Sequence, residues 1–437
     1  MLILKLFKSL RNDSSSVASA FYSLVNKGVN SIIPIIFIPL INNLFGPESF
    51  GKMIYFQSLV GLILIFADYG FTVNGIKEAG DLSSNSKLMN KLYSEVLTIK
   101  SVFLIIGAII LNVYLILWNK NIENINDYFL FLFVLSSLAF QNLIPFWLFQ
   151  GVKKNKSAVL INLFSKFLLL VLIILFLFFI KHKNIYQIAL IECISYLIAL
   201  ILSTYVLIKK FNILFELPSF NNLKLQIIKG FDFFIIILCY WLINNGSIVY
   251  LEYMKVNLFE IGFFGIYLRF SYYVFAIFQP IIHSLIPFFA DNFKKSFSSG
   301  IHFYNKTFLL FSITVFIILV SAGLLLDQIT FLAFDHNIYQ YYIQNKEIPY
   351  LLLVWTFFIL INNFSANSVL LTNGDIKLYR NAQLINSLVA VAIFFLFGHK
   401  NHATAVCFGM IFGEVIFSII IFNKTYKYTK IFLNDKA

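Results

Sequence analysis

The sequence predicts an all-α membrane protein of about twelve transmembrane helices, and three observations lead there. The chain has 437 residues, 60% of them hydrophobic and only 12% charged, where a soluble domain carries roughly 25% charged residues. Its mean hydropathy is +0.84. Apolar windows of about 20 residues, the length that crosses a bilayer core, recur from one end to the other. With so little charge the chain cannot face water over its whole surface, so lipid must cover much of it. The 53 Phe residues suit that solvent.

Residues 1–16 lack the basic region, apolar core and small-residue cleavage site of a signal peptide. Ile3, Leu6, Phe7 and Leu10 share one helical face, with Lys5, Lys8 and Arg11 elsewhere. That pattern fits a short helix lying on the membrane surface, and a frayed tail is the equal alternative. The windows then fall near 17–42, 52–75, 92–118, 128–149, 157–180 and 185–208, and after a polar stretch near 226–251, 260–287, 303–326, 348–372, 378–397 and 402–423. They divide the chain into a six-helix bundle at 17–210, a linker at 211–225, a second bundle at 226–423 and a tail at 424–437.

The connecting segments give the orientation. With both termini cytoplasmic, the cytoplasmic side holds twenty-one Lys and Arg against six on the other. That asymmetry follows the positive-inside rule, and one missed or extra span would scramble it. The formal charge of +13 points to an anionic lipid or substrate. Nucleic acid is disfavoured, since the longest basic cluster is Lys153, Lys154 and Lys156. Cys193, Cys239 and Cys407 all fall in apolar runs and read as small buried hydrophobes.

Four cations lie deep within predicted spans: Lys27, Lys100, Lys166 and Arg269. Lys27 and Lys166 sit about 14–15 Å down. A cation near the midplane costs at least ~2.5–3.5 kcal/mol on insertion scales. Each should therefore face a wet cavity or an acid. Glu192 and Glu414 are also deep, and Asp68 lies toward the cytoplasmic end of its span. Pairing with these acids is one expectation. A positive, anion-attracting cavity is the other, because the cations outnumber the deep acids.

A repeat links the two halves. LFGPESFG at Leu44–Gly51 and LFEIGFFG at Leu258–Gly265 share LFxxxxFG at an offset of 214 residues, and each leads into the second span of its half. A duplication of six spans gives two parallel repeats about an axis along the membrane normal. Gly51 and Gly265 are expected at tight turns or close helix contacts. Pro34, Pro39, Pro280 and Pro287 are expected to bend their spans.

No Walker-type phosphate loop, HExxH, GxSxG or CxxC occurs. No metal or organic cofactor is expected, and the chain reads as a transporter, not an enzyme. His399 and His402 alone are weak evidence for a metal. A membrane glycosyltransferase or polymerase would need a carboxylate in a sizeable loop, for which Asp327 and Asp335 in 327–347 are the candidates.

The stretch NSIIPIIFIPLINNLFGPESFGKMIYFQSLVGLILIFADYGFTVNGIKEAG resembles the start of Wzx-type O-antigen flippases. PFWLFQGVKKNKSAVLINLFSK resembles the family's join between spans four and five, with weaker echoes in FGIYLRF, QPIIHSLIPFFAD and LLTNGDIKLYRNAQLINS. The wider group is the multidrug/oligosaccharidyl-lipid/polysaccharide exporter superfamily, related to the multidrug transporters called MATE. The resemblance implies two six-helix bundles around a central cavity in a bacterial inner membrane. It implies undecaprenyl-diphosphate-linked oligosaccharide as cargo, flipped from the cytoplasmic to the periplasmic face, with a coupling ion (H+ or Na+). The O-antigen polymerase and chain-length machinery would be partners. Arg269, Lys27, Lys166 and Lys100 are then expected to bind substrate, and Asp68, Glu192 and Glu414 to gate or couple an ion. The rival within the superfamily is an ion-coupled drug or metabolite antiporter, whose cavity for organic cations should be acidic.

Overall fold

The computed structural model describes residues 14–82, 85–118, 122–152, 155–398 and 401–434, and side chains at 28, 35–82, 85–117, 122–152, 156–398 and 401–426. The N-terminal segment with Lys5, Lys8 and Arg11, the pair Lys153 and Lys154, and the Lys27 side chain lie outside the described residues. All regular structure among the described residues is helical. Eleven helical stretches there are long and apolar enough to cross a membrane. Most of the predicted window at 17–42 falls where side chains are not described; its end, at Ile35, opens the first of the eleven, Ile35–Asp81.

Helix α1, Ser14–Asp68, runs for 55 residues. Straight, it would extend about 80 Å, over twice the bilayer core. Gly46 interrupts it at φ 80° and ψ 159°, a backbone region essentially reserved for glycine. The two predicted windows at its ends are thus two helices meeting at one residue. The chain divides into two compact units, Met1–Ile33 with Leu59–Phe234, and Pro34–Ser58 with Ile235–Ala437.

The first unit continues through α2 (Phe71–Asp81), α3 (Ser86–Trp118), α4 (Ile125–Leu143), α5 (Phe146–Gly151), α6 (Asn155–Phe179), α7 (Ile185–Phe211) and the start of α8 (Phe220–Ile243). Asn184 caps α7 in a capping box with Gln187, and Lys209 and Lys210 occupy its last turn, where they oppose the helix dipole. The α4 and α7 helices pack along each other. Ser137, Ala189, Ser195, Ala199 and Ser203 are all buried. Lipid gives little hydrophobic drive for helix association, so small residues that let backbones approach carry such contacts. The stretch after α7 is pinned to α3. Leu214 N donates to Asn90 Oδ1 (3.1 Å), Asn90 Nδ2 to Glu216 Oε1 (3.1 Å) and Glu216 N to Ser94 Oγ (2.8 Å).

The second unit holds α9 (Asn245–Tyr253), α10 (Leu258–Lys295), α11 (Phe297–Ala333), α12 (His336–Gln344), α13 (Glu347–Ser365), a π-helical turn at Ala366–Leu371, α14 (Ile376–Phe397) and α15 (His402–Asn434). Phe278, Phe289, Tyr304, Phe311 and Phe364 build an aromatic core, with Phe311 stacked on Phe364 at 4.5 Å between centroids. The expected loop at 327–347 is mostly helix, because α11 runs on to Ala333 and α12 follows at once. Asp335 caps α12 through Ile338 N (3.2 Å). Asp327 accepts from Lys346 Nζ at 2.7 Å and from the Tyr342 hydroxyl. That hydrogen bond holds the Lys346 ammonium above its ordinary range.

The two copies of the repeated motif lie side by side in this unit. A Cβ at Gly51 would run into the Leu258 carbonyl, one at Gly262 into the Pro47 carbonyl, and one at Gly265 into Ile54. The contacts advance together along both helices. The two are therefore parallel and close to the register of the repeat, as copies about a shared axis should be.

Candidate functional site

Each deep charge whose side chain is described occupies a distinct environment. Lys100, on α3, is 4% exposed. Its ammonium lies 2.8 Å from Asp68 Oδ1 and donates to the Asn142 carbonyl at 3.2 Å. Asp68 ends α1 and also accepts from Thr72 Oγ1 at 2.6 Å. The Asn142 carbonyl is available because α4 stops there. Phe146 N, its helical partner, donates instead to Ile144 O at 2.8 Å, and Pro145 carries no N–H. One lysine thus ties together the ends of two interrupted helices. Of the two expectations for Lys100, the geometry shows pairing with an acid.

Lys166, on α6, is 8% exposed. It donates to the Tyr196 hydroxyl of α7 at 2.8 Å and lies 5.1 Å from the centroid of the same ring. Hydroxyl and ring face both favour a cation. Glu192 is half-buried on α7.

Arg269 is half-buried on α10, about 16 Å along the helix from its start. Its guanidinium lies 5.5 Å from the centroid of Phe50 and donates to Gln57 Oε1. Phe50 is wholly buried, so the ring is a fixed floor. Side chains lean toward the N-terminus of a helix, which carries the guanidinium back over Phe50. Gln57 was not singled out by sequence. Its signal was an amide amid apolar neighbours in FQSLVG, one polar group where lipid-facing residues should be apolar.

Glu414, on α15, is 2% exposed. Its carboxylate accepts from Asn362 Nδ2 at 2.6 Å and from Asn386 Nδ2 at 3.1 Å, and Ser418 Oγ donates to Asn362 Oδ1 at 2.7 Å. Beside this cluster runs a second chain of polar groups. Gln279 Nε2 and Asn367 Nδ2 both donate to Asn363 Oδ1 at 3.1 Å, and the hydroxyls of Tyr240 and Tyr379 meet at 3.0 Å. The π turn sits here. Such a turn disturbs the normal ladder and recurs at functional sites. Its displaced carbonyls are taken up by side chains, with Asn367 Nδ2 on Asn363 O (2.8 Å) and Thr372 Oγ1 on Asn367 O (2.7 Å). Sequence periodicity cannot show a π turn, because one extra residue is invisible in an apolar run.

A further polar group in the first unit also escaped the sequence reading. Gln226 Nε2 bridges Glu78 Oε2 (3.2 Å) and Glu95 Oε2 (3.0 Å), and Lys229 pairs with Glu78 at 3.0 Å. Among the described residues no group of three or more His, Cys, Asp or Glu converges to hold a metal. The arrangement offers oriented cations within membrane-spanning helices and a buried carboxylate among amides. Such groups hold anions and exchange small cations or protons.

Comparison with known proteins adds three findings. The family model for polysaccharide biosynthesis proteins matches residues 16–293. Two curated relatives are each named "Putative O-antigen transporter". The one from Escherichia coli (strain K12) is 24% identical over 246 residues, which is 56% of this chain and 58% of that protein. The chain thus aligns with little more than half of that relative's length. The one from Shigella dysenteriae is 22% identical over 399 residues, 90% of this chain and 96% of that protein. Among solved structures, the inward-facing conformation of a multidrug resistance MATE family transporter of the MOP superfamily superposes with a TM-score of 0.72 at 12% identity, over 94% of this chain and 96% of that one. At that identity the likeness concerns the fold: a helical, MATE-like transporter fold, as the resemblance in the sequence implied.

Proposed function

Because the chain belongs to the polysaccharide biosynthesis protein family, we propose that it flips an undecaprenyl-diphosphate-linked oligosaccharide from the cytoplasmic to the periplasmic face of a bacterial inner membrane. The observation that carries this reading is the family match across residues 16–293. The deep cations support it physically. A sugar and a diphosphate cannot enter hydrocarbon unaided, whereas the lipid tail can remain in the bilayer throughout. Oriented cations offset the loss of water around phosphate.

Arg269 is assigned the diphosphate, since guanidinium holds phosphate oxygens in a fork. Lys27 and Lys166, in the first unit, are also assigned to substrate binding. Lys100 acts as one member of the Lys100–Asp68 pair, a latch between two helix ends. Glu414 is assigned ion coupling, with H+ or Na+ as the ion, and Glu192 is a second acid for gating. The deep cations outnumber the deep acids, which opposes an organic cation as cargo. The O-antigen polymerase and its chain-length partners would consume the flipped product.

Deleting the gene is expected to trap undecaprenyl-linked sugar on the cytoplasmic face and to remove surface polysaccharide, both restored by the wild-type chain. Normal polysaccharide in the deletion strain would end this reading. For coupling, Glu414→Gln is expected to insert normally yet transport at one rate whether or not a proton or sodium gradient is imposed across vesicles. A variant that follows either gradient as the wild type does removes Glu414 from coupling.

A further inference from the structure

The environment of Arg269 contains a feature that the proposed function does not use. Its guanidinium is already occupied by a neutral side chain of the chain itself, the Gln57 carboxamide. Both residues belong to the second unit. The occupancy follows from the helix contact below it. The helix after Gly46 and α10 run in parallel and touch at three levels, each about one turn above the last. Gly51 meets Leu258 and Gly262, Ile54 meets Gly265, and Gln57 meets Arg269. From Gly51 to Gln57 is about 9 Å of rise and from Gly262 to Arg269 about 10 Å, so the two polar groups arrive at one height. The lower levels are backbone against backbone, or backbone against an aliphatic side chain. The top level is a polar link that a solute can compete for.

The link is well placed to be exchanged. Gln57 and Arg269 are both half-buried, whereas Phe50 beneath them is fully enclosed. The Gln57 amide oxygen is a neutral acceptor on a guanidinium within the span. A phosphoryl oxygen carries charge and binds the same donors more strongly. Resting on the phosphate-binding reading of Arg269, we propose that Gln57 is a placeholder on the guanidinium, displaced by a phosphoryl oxygen of the substrate. Displacement severs the uppermost of the three links between the helix after Gly46 and α10. Substrate binding thereby loosens a contact between the helices that follow the two copies of the repeated motif, and the glycine contacts below remain as the pivot. Gln57 is a positioning residue in this scheme. It sets affinity by competing for Arg269, not by touching substrate.

Binding to the purified full-length protein in lipid nanodiscs tests this, with undecaprenyl diphosphate, inorganic pyrophosphate and undecaprenol as probes. Gln57→Ala and the volume-conserving Gln57→Leu remove the competitor. Both are expected to bind undecaprenyl diphosphate about fivefold tighter than wild type. Gln57→Glu replaces the amide with a carboxylate that holds the guanidinium, and is expected to bind about tenfold weaker. Inorganic pyrophosphate should follow the same order and undecaprenol should be indifferent to all three variants. A merely structural role would weaken binding in every variant, so tighter binding in two of them is the informative result. Gln57→Ala and Gln57→Leu binding no tighter than wild type overturns the proposal, as does any dependence of undecaprenol binding on residue 57. Arg269→Ala separates the two claims. If it loses diphosphate binding while the Gln57 variants match wild type, only the placeholder fails. If it too matches wild type, the reading of Arg269 fails with it.

Discussion

Cells that carry Arg269→Ala in place of the wild-type chain are expected to lose surface polysaccharide by roughly tenfold to a hundredfold, with unchanged amounts of protein in the membrane. The size follows from the interaction removed. A hydrogen bond to a charged group contributes about 1.5–3 kcal/mol, which is roughly one to two powers of ten in an equilibrium. Insertion should survive because Arg269 is half-buried and the change removes a charge from within a span. Gln57 loses one hydrogen bond, and the Phe50 ring loses a cation over its face. Arg269→Lys should recover only part of the activity, since an ammonium keeps the charge and loses the two-pronged geometry. Polysaccharide chain density by gel, set against membrane protein by immunoblot, reads both quantities. Wild-type polysaccharide in Arg269→Ala, with Lys27→Ala added, would remove Arg269 and Lys27 from the transport path.

Arg269 could be found in the sequence because charge in an apolar window announces itself. The spans themselves were legible for the same reason: hydropathy over 20 residues reports a property of the solvent, and it does not depend on how helices pack. The repeat was legible from LFxxxxFG, and so was the expectation that Gly51 and Gly265 sit at close contacts, which the glycine positions show. What they touch was not legible. That the first motif lies against the second requires knowing which helices are neighbours. Pairing of Lys100 with Asp68 was one of two readings left open, because it depends on how α1 and α3 are rotated. The break at Gly46 was hidden by its position in a stretch already read as a turn. The amides around Glu414 were missed because Asn and Gln carry no charge and their importance arises only where they converge. Asn362, Asn386 and Ser418 come from three helices, and no local pattern joins them.

The Lys100–Asp68 pair supports the second large effect, and it separates two roles that a single substitution cannot. Asp68→Leu leaves a 4%-exposed ammonium without the carboxylate 2.8 Å away. Removing one partner of a buried ion pair costs about 3–5 kcal/mol, which is a large part of the stability of a typical domain. Little folded Asp68→Leu protein should accumulate. Lys100→Met should be milder, because Asp68 keeps the Thr72 hydroxyl and is the more exposed partner. The double variant Asp68→Leu with Lys100→Met removes both charges and leaves matched apolar volume, a change that is often neutral or stabilising. It is expected to recover folding, well beyond the sum of the single effects. Thermal unfolding in detergent measures that recovery. Transport then decides the role. If the pair is a latch between helix ends, polysaccharide should return with folding to within a few-fold of wild type. If the Lys100 charge meets the substrate, the double variant will fold and still make almost no polysaccharide. The geometry favours the first outcome. The lysine already has a carboxylate and the Asn142 carbonyl, and a diphosphate would have to break the ion pair to gain it.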